Sequence, residues 1–193
     1  MFRSLEGGRW GSEMARVAYV TSADARGDSR DALAAMEQQG LEVLNLYRAL
    51  ANAPVLRNFL RLGSSLLRHG ALDPTLREIA ILRVAQLTDA AYEWAHHVPI
   101  ARQAGVPDEQ VRSLEEWQTS PAFDTRQRAA LRYAEAVATL SVTDNVFQET
   151  RRHLGEPEIV ELTLVVGFWG MVARALTALQ VDIEPEFQQF APA

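Results

Sequence analysis

The chain has 193 residues, of which 48% are hydrophobic and 23% are charged, a composition typical of one globular domain with a sizeable core. Its formal net charge of -6 opposes a nucleic-acid partner, because phosphates attract positively charged surfaces. The sequence contains no cysteine and no lysine, which excludes disulfides, thiolate nucleophiles, zinc–thiolate sites and catalysis through a lysine Schiff base.

The N-terminal segment, residues 1–30, has no regular hydrophobic pattern and is rich in glycine at Gly7, Gly8 and Gly11. We predict an arm that is partly disordered or packed on a neighbouring subunit. No apolar signal-peptide core follows the first residue, and the longest uncharged apolar run, residues 162–173, is about half of a membrane span. A cytoplasmic protein without a membrane partner is therefore expected.

Residues 31–193 have the signature of one all-helical domain. Residues 56–67 carry apolar side chains at helical spacing, and Asp73 followed by Pro74 is the usual start of a helix. Asp89 is expected to cap the next helix, and Pro99 to kink it.

Further helices are predicted to begin at Asp124 and Thr143, and a long last helix to span residues 157–181. Because residues 162–173 are apolar on most sides, this last helix must lie at the centre of the fold or at a subunit interface. An isolated chain would expose a large apolar patch there, so a homo-oligomer is expected.

The chemically active side chains concentrate on two neighbouring helices. Glu93 and His97 are four residues apart, so their side chains share one helix face. Glu93 lies in the first turn, where the helix dipole favours a carboxylate. A carboxylate beside an imidazole orients the ring and raises its proton affinity, as an acid–base pair requires. Glu78, on the preceding helix, can reach the same face across a short connection.

This spacing resembles that of the carboxymuconolactone decarboxylase and alkylhydroperoxidase D superfamily. Alkylhydroperoxidase D proteins carry Glu-x11-Cys-x2-Cys-x3-His, in which the glutamate and histidine relay protons to a reactive dithiol. The same spacing here is Glu78-x11-Ala90-x2-Glu93-x3-His97. The Tyr-Glu-Trp sequence at residues 92–94 is similar to the aromatic-Glu-Trp sequence of the decarboxylase branch.

The resemblance implies an all-α bundle of the alkylhydroperoxidase D type, assembled as a homotrimer or homohexamer. It further implies a lyase or isomerase without metal or other cofactor, which transfers protons on a small carboxylated or lactone-type substrate. His97 is then the proton donor, Glu93 its orienting and pKa-tuning partner, and Glu78 a second relay group. Tyr92 and His96 are expected to bind the substrate. No thiol peroxidase activity is expected, since both cysteine positions hold other residues.

A substrate carboxylate also needs a cation, for which Arg77 and Arg83 are near in sequence. A metal is not expected: Glu93-x-x-His96 has the form found in di-iron bundles, but those need two such motifs.

The alternative function is that of a non-catalytic relative, which retains the fold and has lost the reaction. A tryptophan or leucine closed over His97 would favour this alternative, whereas an open acidic pocket would favour the enzyme.

Overall fold

The computed structural model describes residues 15–68 and 70–192, so the first half of the predicted arm lies outside the described residues. Every regular element in the described residues is helical, which confirms the all-α class. The α-helices of this part of the chain are α1 (Asp28–Gln38), α2 (Asn45–Leu50), α3 (Leu56–Arg68), α4 (Pro74–Leu87), α5 (Ala91–Ala104), α6 (Asp108–Arg112), α7 (Thr125–Ala138), α8 (Asp144–Arg151) and α9 (Glu156–Leu179), with 3₁₀ segments at Leu114–Glu116 and Pro185–Phe190.

Side-chain caps start several of these helices as the sequence predicts. The Asp73 carboxylate accepts hydrogen bonds from the amides of Thr75 at 2.8 Å and Leu76 at 3.2 Å, at the start of α4. Asp124 forms a capping box with Gln127 at the start of α7. These local patterns fix helix starts because each satisfies amides that the helix leaves unpaired.

The predicted cap at Asp89 is wrong. Asp89 has a φ of 56°, and the next amide, Ala90 N–H, bonds back to the Ala85 carbonyl at 2.9 Å. This left-handed residue with its backward hydrogen bond is a C-terminal stop for α4, so Asp89 ends one helix instead of beginning the next. Pro99 lies inside α5, which continues without a break to Ala104.

Helix α9 is the long last helix that the sequence predicts, and it packs in the core against α3, α4, α5 and α7. By length and composition alone it could cross a membrane, but 56% of its most apolar stretch is buried inside the protein. Helix α4 is buried on nearly all sides and contacts α5, α7 and α9. These two helices therefore form the centre to which α5 is attached.

One face of α9 stays on the surface. Val160, Leu164 and Met171 are 57%, 51% and 48% exposed, and Gly167 lies between them with open space where a Cβ would stand. Their spacing places them along one side of the helix. A homo-oligomer stays a prediction, and this exposed apolar face supports it.

The described part of the N-terminal arm packs on the C-terminal end of its own chain. The Arg16 amide donates to the Leu179 carbonyl at 2.9 Å, and the Tyr19 hydroxyl donates to Asp182 Oδ2 at 2.8 Å. The Asp182 amide in turn donates to the Tyr19 hydroxyl at 2.8 Å. These contacts hold the base of residues 181–192, which we name the C-terminal strap.

Candidate functional site

Glu78, His97 and Trp169 form one hydrogen-bonded chain where α4, α5 and α9 meet. His97 Nδ1 lies 2.8 Å from Glu78 Oε2, and Trp169 Nε1 lies 2.7 Å from His97 Nε2. All three side chains are buried, and the Glu78 carboxylate is fully enclosed. The predicted approach of Glu78 to His97 is thus present in the structure, and Trp169 joins it as a hydrogen-bond donor, a role that the sequence did not predict.

The Trp169 contact fixes the protonation of His97. An indole N–H only donates, so His97 Nε2 must accept with its lone pair. The ring proton then lies on Nδ1 and is donated to Glu78, whose other oxygen accepts from Arg77 Nε at 3.0 Å. His97 is therefore a neutral imidazole with both ring nitrogens engaged, and Glu78 is a carboxylate between two donors.

Glu93 is not the hydrogen-bond partner of His97, so the predicted contact by which Glu93 orients the imidazole is wrong. Its side chain is 2% exposed, and neither carboxyl oxygen has a hydrogen-bond partner among the described residues. Burial raises the pKa of the Glu93 carboxyl well above its ordinary value. A helix dipole favours the anion by only about 0.3–1 kcal/mol, whereas burying an ionised carboxylate costs several kcal/mol. Burial therefore outweighs the dipole and favours protonated Glu93.

Tyr92 and His96 point to a second buried cluster, centred on Glu184 of the C-terminal strap. The Tyr92 hydroxyl donates to Glu184 Oε1 at 2.8 Å, and the backbone amide of Asn45 donates to the same oxygen at 2.6 Å. His96 Nε2 lies 2.7 Å from Glu184 Oε2. Glu184 has no distinguishing pattern in the sequence, because it is an isolated acid in an unpatterned segment.

The hydrogen bonds of this cluster favour a charged carboxylate and a neutral phenol. Burial works to raise the pKa of Glu184, but the hydrogen bonds from His96, Asn45 and Tyr92 together hold it below its ordinary value. Burial, and then the negative charge of Glu184, raise the pKa of Tyr92. The Tyr92 hydroxyl therefore stays protonated and donates to the Glu184 carboxylate.

Both arginines considered for a substrate carboxylate bind protein carboxylates instead. Arg77 is bonded to Glu78, as described above, and Arg83 forms an ion pair with Glu135 at 2.6 Å. Neither is left as an evident partner for a ligand.

The site residues are closed off from solvent. Two surface cavities, of about 290 and 230 Å³, lie between α1 and α3 and between α7 and α8, away from both clusters. Over His97 the closing side chain is Trp169. A tryptophan closed over His97 is the arrangement expected of a non-catalytic relative.

Comparison with known proteins agrees with this architecture. Residues 53–136 match the carboxymuconolactone decarboxylase family model, a segment that includes α3 to α5, most of α7 and the Glu78, Glu93 and His97 positions. This match supports the resemblance of the chain to the carboxymuconolactone decarboxylase and alkylhydroperoxidase D superfamily. The match does not extend to Trp169 or Glu184, so two of the buried contacts described here lie outside the family segment.

The individual relatives are distant. The uncharacterized protein YdfG of Bacillus subtilis is 24% identical over 115 residues, which covers 56% of this chain and 78% of that protein. An uncharacterized peroxidase-related protein from Ralstonia eutropha JMP134, described as an alkylhydroperoxidase AhpD core, superposes with a TM-score of 0.76 and 21% identity, over 92% of this chain and 96% of that one. The debrominase Bmp8 superposes with a TM-score of 0.73 and 20% identity, over 93% and 96%. At these identities the structures show a shared fold.

The protein is expected not to reduce hydroperoxides through a thiol–disulfide cycle. Ala90 and Glu93 occupy the two cysteine positions of the peroxidase motif, and a methionine thioether cannot replace a thiolate. The measurement is hydroperoxide consumption by purified, metal-free protein with a dithiol reductant, compared with reductant alone. Turnover above that background would contradict the prediction.

Proposed function

We propose that the chain is a cofactor-free lyase or isomerase that transfers protons on a small carboxylated or lactone-type molecule, with Glu93 as the proton donor. The observation that carries this proposal is the buried Glu93 carboxyl, whose oxygens have no hydrogen-bond partner among the described residues. Protein interiors rarely leave such a group unsatisfied, because its desolvation costs about 1–3 kcal/mol. A reaction that needs a neutral carboxylic acid gives a reason to keep it.

Glu93 replaces His97 as donor in this proposal because His97 has no free ring nitrogen. Trp169 occupies Nε2 and Glu78 occupies Nδ1. Glu93 lies one helical turn before His97 on the same side of α5. Glu78 and His97 are then positioning residues, which hold α4, α5 and α9 in a fixed arrangement beside the Glu93 carboxyl.

In decarboxylation, the bond between a substrate carbon and its carboxylate breaks, and carbon dioxide leaves. The electron pair passes into the conjugated lactone carbonyl, so the substrate itself stabilises the charge. Glu93 O–H then transfers its proton to the resulting dienolate carbon, and the Glu93 carboxylate takes a proton back from water. In isomerisation Glu93 O–H gives its proton to one substrate carbon, and the resulting Glu93 carboxylate removes a proton from another.

The proposal is tested by turnover of unsaturated lactone carboxylic acids, read as carbon dioxide release and as incorporation of solvent deuterium into the product. We expect Glu93→Gln to lose activity about a hundredfold or more, because the amide cannot donate a proton to carbon. Glu109→Gln, at an exposed position on α6, is the matched control and should retain full activity. Unchanged turnover in Glu93→Gln would contradict the assignment.

The second candidate is a non-catalytic relative that keeps the fold without the reaction. The closure of His97 by Trp169 favours it, since a substrate reaches these groups only when the covering helices separate. On this alternative no lactone acid is turned over, and Glu93→Gln changes stability alone.

A further inference from the structure

The Glu184 cluster has the composition of a carboxylate-binding site. Its donors come from two separate parts of the fold, the Asn45 amide at the start of α2 and the Tyr92 and His96 side chains of α5. The carboxylate comes from a third part, the C-terminal strap. Tyr92 and His96 are 5% and 8% exposed, so these donors are enclosed and have little alternative in solvent.

The same cluster also holds a flat aromatic ring, that of Phe187, against the His96 ring. The His96 ring stacks on Tyr92 with 4.2 Å between ring centroids, and Phe187 of the strap stacks on the His96 ring at 3.9 Å. Glu184 and Phe187 are three residues apart. Together they present a carboxylate and an aromatic ring to His96 and its neighbours.

We propose that Tyr92, His96 and the Asn45 amide form a binding site for a small carboxylic acid with a flat, unsaturated body, and that the strap occupies this site with Glu184 and Phe187 as a tethered ligand. The free acid places its carboxylate where Glu184 lies and its planar part where Phe187 lies. This deepens the proposed function and rests on it for the role of that acid as substrate. Binding itself is independent of Glu93.

The strap is suited to displacement. The residues of its 3₁₀ segment, Pro185–Phe190, are all at least partly exposed, and among them Phe190 also packs against the core. Removing Glu184 without a replacement leaves the Tyr92 hydroxyl, the Asn45 amide and the His96 ring without their acceptor. A buried donor without an acceptor is unfavourable, so an incoming carboxylate restores what the strap supplied.

A positive charge lies at the edge of the strap. The Arg102 guanidinium stacks over the Phe190 ring at 5.6 Å from its centroid and also pairs with Asp108 at 2.7 Å. Arg102 is partly exposed and lies on α5, the same helix as His96, so its contact with Phe190 holds the end of the strap against that helix.

The tethered carboxylate competes with any free acid. A group held by a short flexible linker has an effective concentration of the order of millimolar or more, so the unmodified chain should bind a small acid weakly. Glu184→Ala removes this competitor. Glu186→Ala, on the same strap at an exposed position, is the matched control that leaves it in place.

The test is titration of all three proteins with benzoate and with its uncharged analogue benzamide, read by calorimetry and by the shift in melting temperature. We expect benzoate to bind Glu184→Ala at least about tenfold more tightly than the unmodified chain or Glu186→Ala. Benzamide should show no such gain. Equal benzoate affinity in the three proteins, or an equal gain for benzamide, would overturn the proposal.

If Glu184→Ala does not fold by itself, refolding in excess benzoate replaces the titration. Recovery with benzoate and not with benzamide supports the site, and failure with both overturns it. Adding Tyr92→Phe to Glu184→Ala removes one donor and should weaken benzoate binding, whereas a purely apolar cavity would keep it. Because these measurements read binding without turnover, their failure is distinguishable from failure of the Glu93 chemistry.

Discussion

The unmodified chain should lose folding stability as the pH rises above the ordinary glutamate pKa of 4.5, and the Glu93→Gln variant should not show this loss. Burial raises the pKa of Glu93 in the folded protein, so between the unfolded and folded pKa values the folded state holds a proton that the unfolded state has lost. The stabilising contribution is complete below the unfolded pKa and disappears as the pH rises through the folded pKa. In that window the expected slope is about 1.4 kcal/mol per pH unit.

The measurement is urea denaturation over a pH series for the unmodified chain, Glu93→Gln and the exposed control Glu109→Gln. The quantity of interest is the difference in unfolding free energy between the unmodified chain and each variant. Taking this difference removes the opposite contribution of Glu184, whose lowered pKa gives stability above its unfolded pKa that is lost as the pH falls. A difference for Glu93→Gln that stays constant with pH would show that Glu93 is ionised in the folded protein.

The sequence predicted the helical framework because local signals determine it. Asp73, Asp124 and Thr143 each accept from amides at the start of a helix, and such caps depend only on neighbouring residues. Asp89 misled the same reasoning, since an aspartate before a helix can cap it or adopt a left-handed turn that ends the previous one. Only the three-dimensional path of the chain between α4 and α5 decides between these roles.

The sequence predicted part of the site for the same reason. Glu78 and His97 lie on the consecutive helices α4 and α5, which pack against each other, so a short connection brings them together. The choice of Glu93 as partner of His97 relied on helical spacing, which places two side chains on one face but does not determine which of them bonds. Glu78 took that position, and Glu93 was left buried without a hydrogen-bond partner among the described residues, which favours the neutral acid over the expected carboxylate.

The roles of Trp169 and Glu184 could not be predicted from the sequence, because the residues that they contact are distant along the chain. Trp169 bonds to His97 from 72 residues away, and Glu184 bonds to His96 from 88 residues away. A tryptophan in an apolar helix is indistinguishable from a core residue until its N–H finds an acceptor. These two residues change the interpretation most, because one blocks His97 and the other fills the site of His96.

Disrupting the Glu78–His97 bond should give the largest loss of stability among the site variants. His97→Leu leaves the buried Glu78 carboxylate with Arg77 as its remaining partner and deprives the Trp169 N–H of its acceptor. Leaving a buried donor or acceptor unsatisfied costs about 1–3 kcal/mol, and more for a charged group. In Glu78→Leu, the His97 Nδ1–H loses its acceptor, so this variant is also destabilised. The double variant removes both groups and should cost less than the sum, with a coupling of about 0.5–3 kcal/mol.

The single and double variants of Glu78 and His97 form a double-mutant cycle. A second double-mutant cycle, with Glu93→Leu and His97→Leu, is the matched control and tests which of the two glutamates is the partner of His97. If the helical spacing of Glu93 and His97 made them a pair, that cycle would show the larger coupling. Because the neutral Glu93 carboxyl has no hydrogen-bond partner in the described part of the chain, we expect this coupling to be the smaller of the two. Glu93→Leu alone should not destabilise the protein, since it replaces a buried unsatisfied carboxyl with an apolar side chain of similar size. Strong destabilisation by Glu93→Leu would contradict this expectation, and so would a Glu93–His97 coupling larger than the Glu78–His97 coupling. Either result would show that Glu93 is bonded within the same network as His97 and is not a free acid.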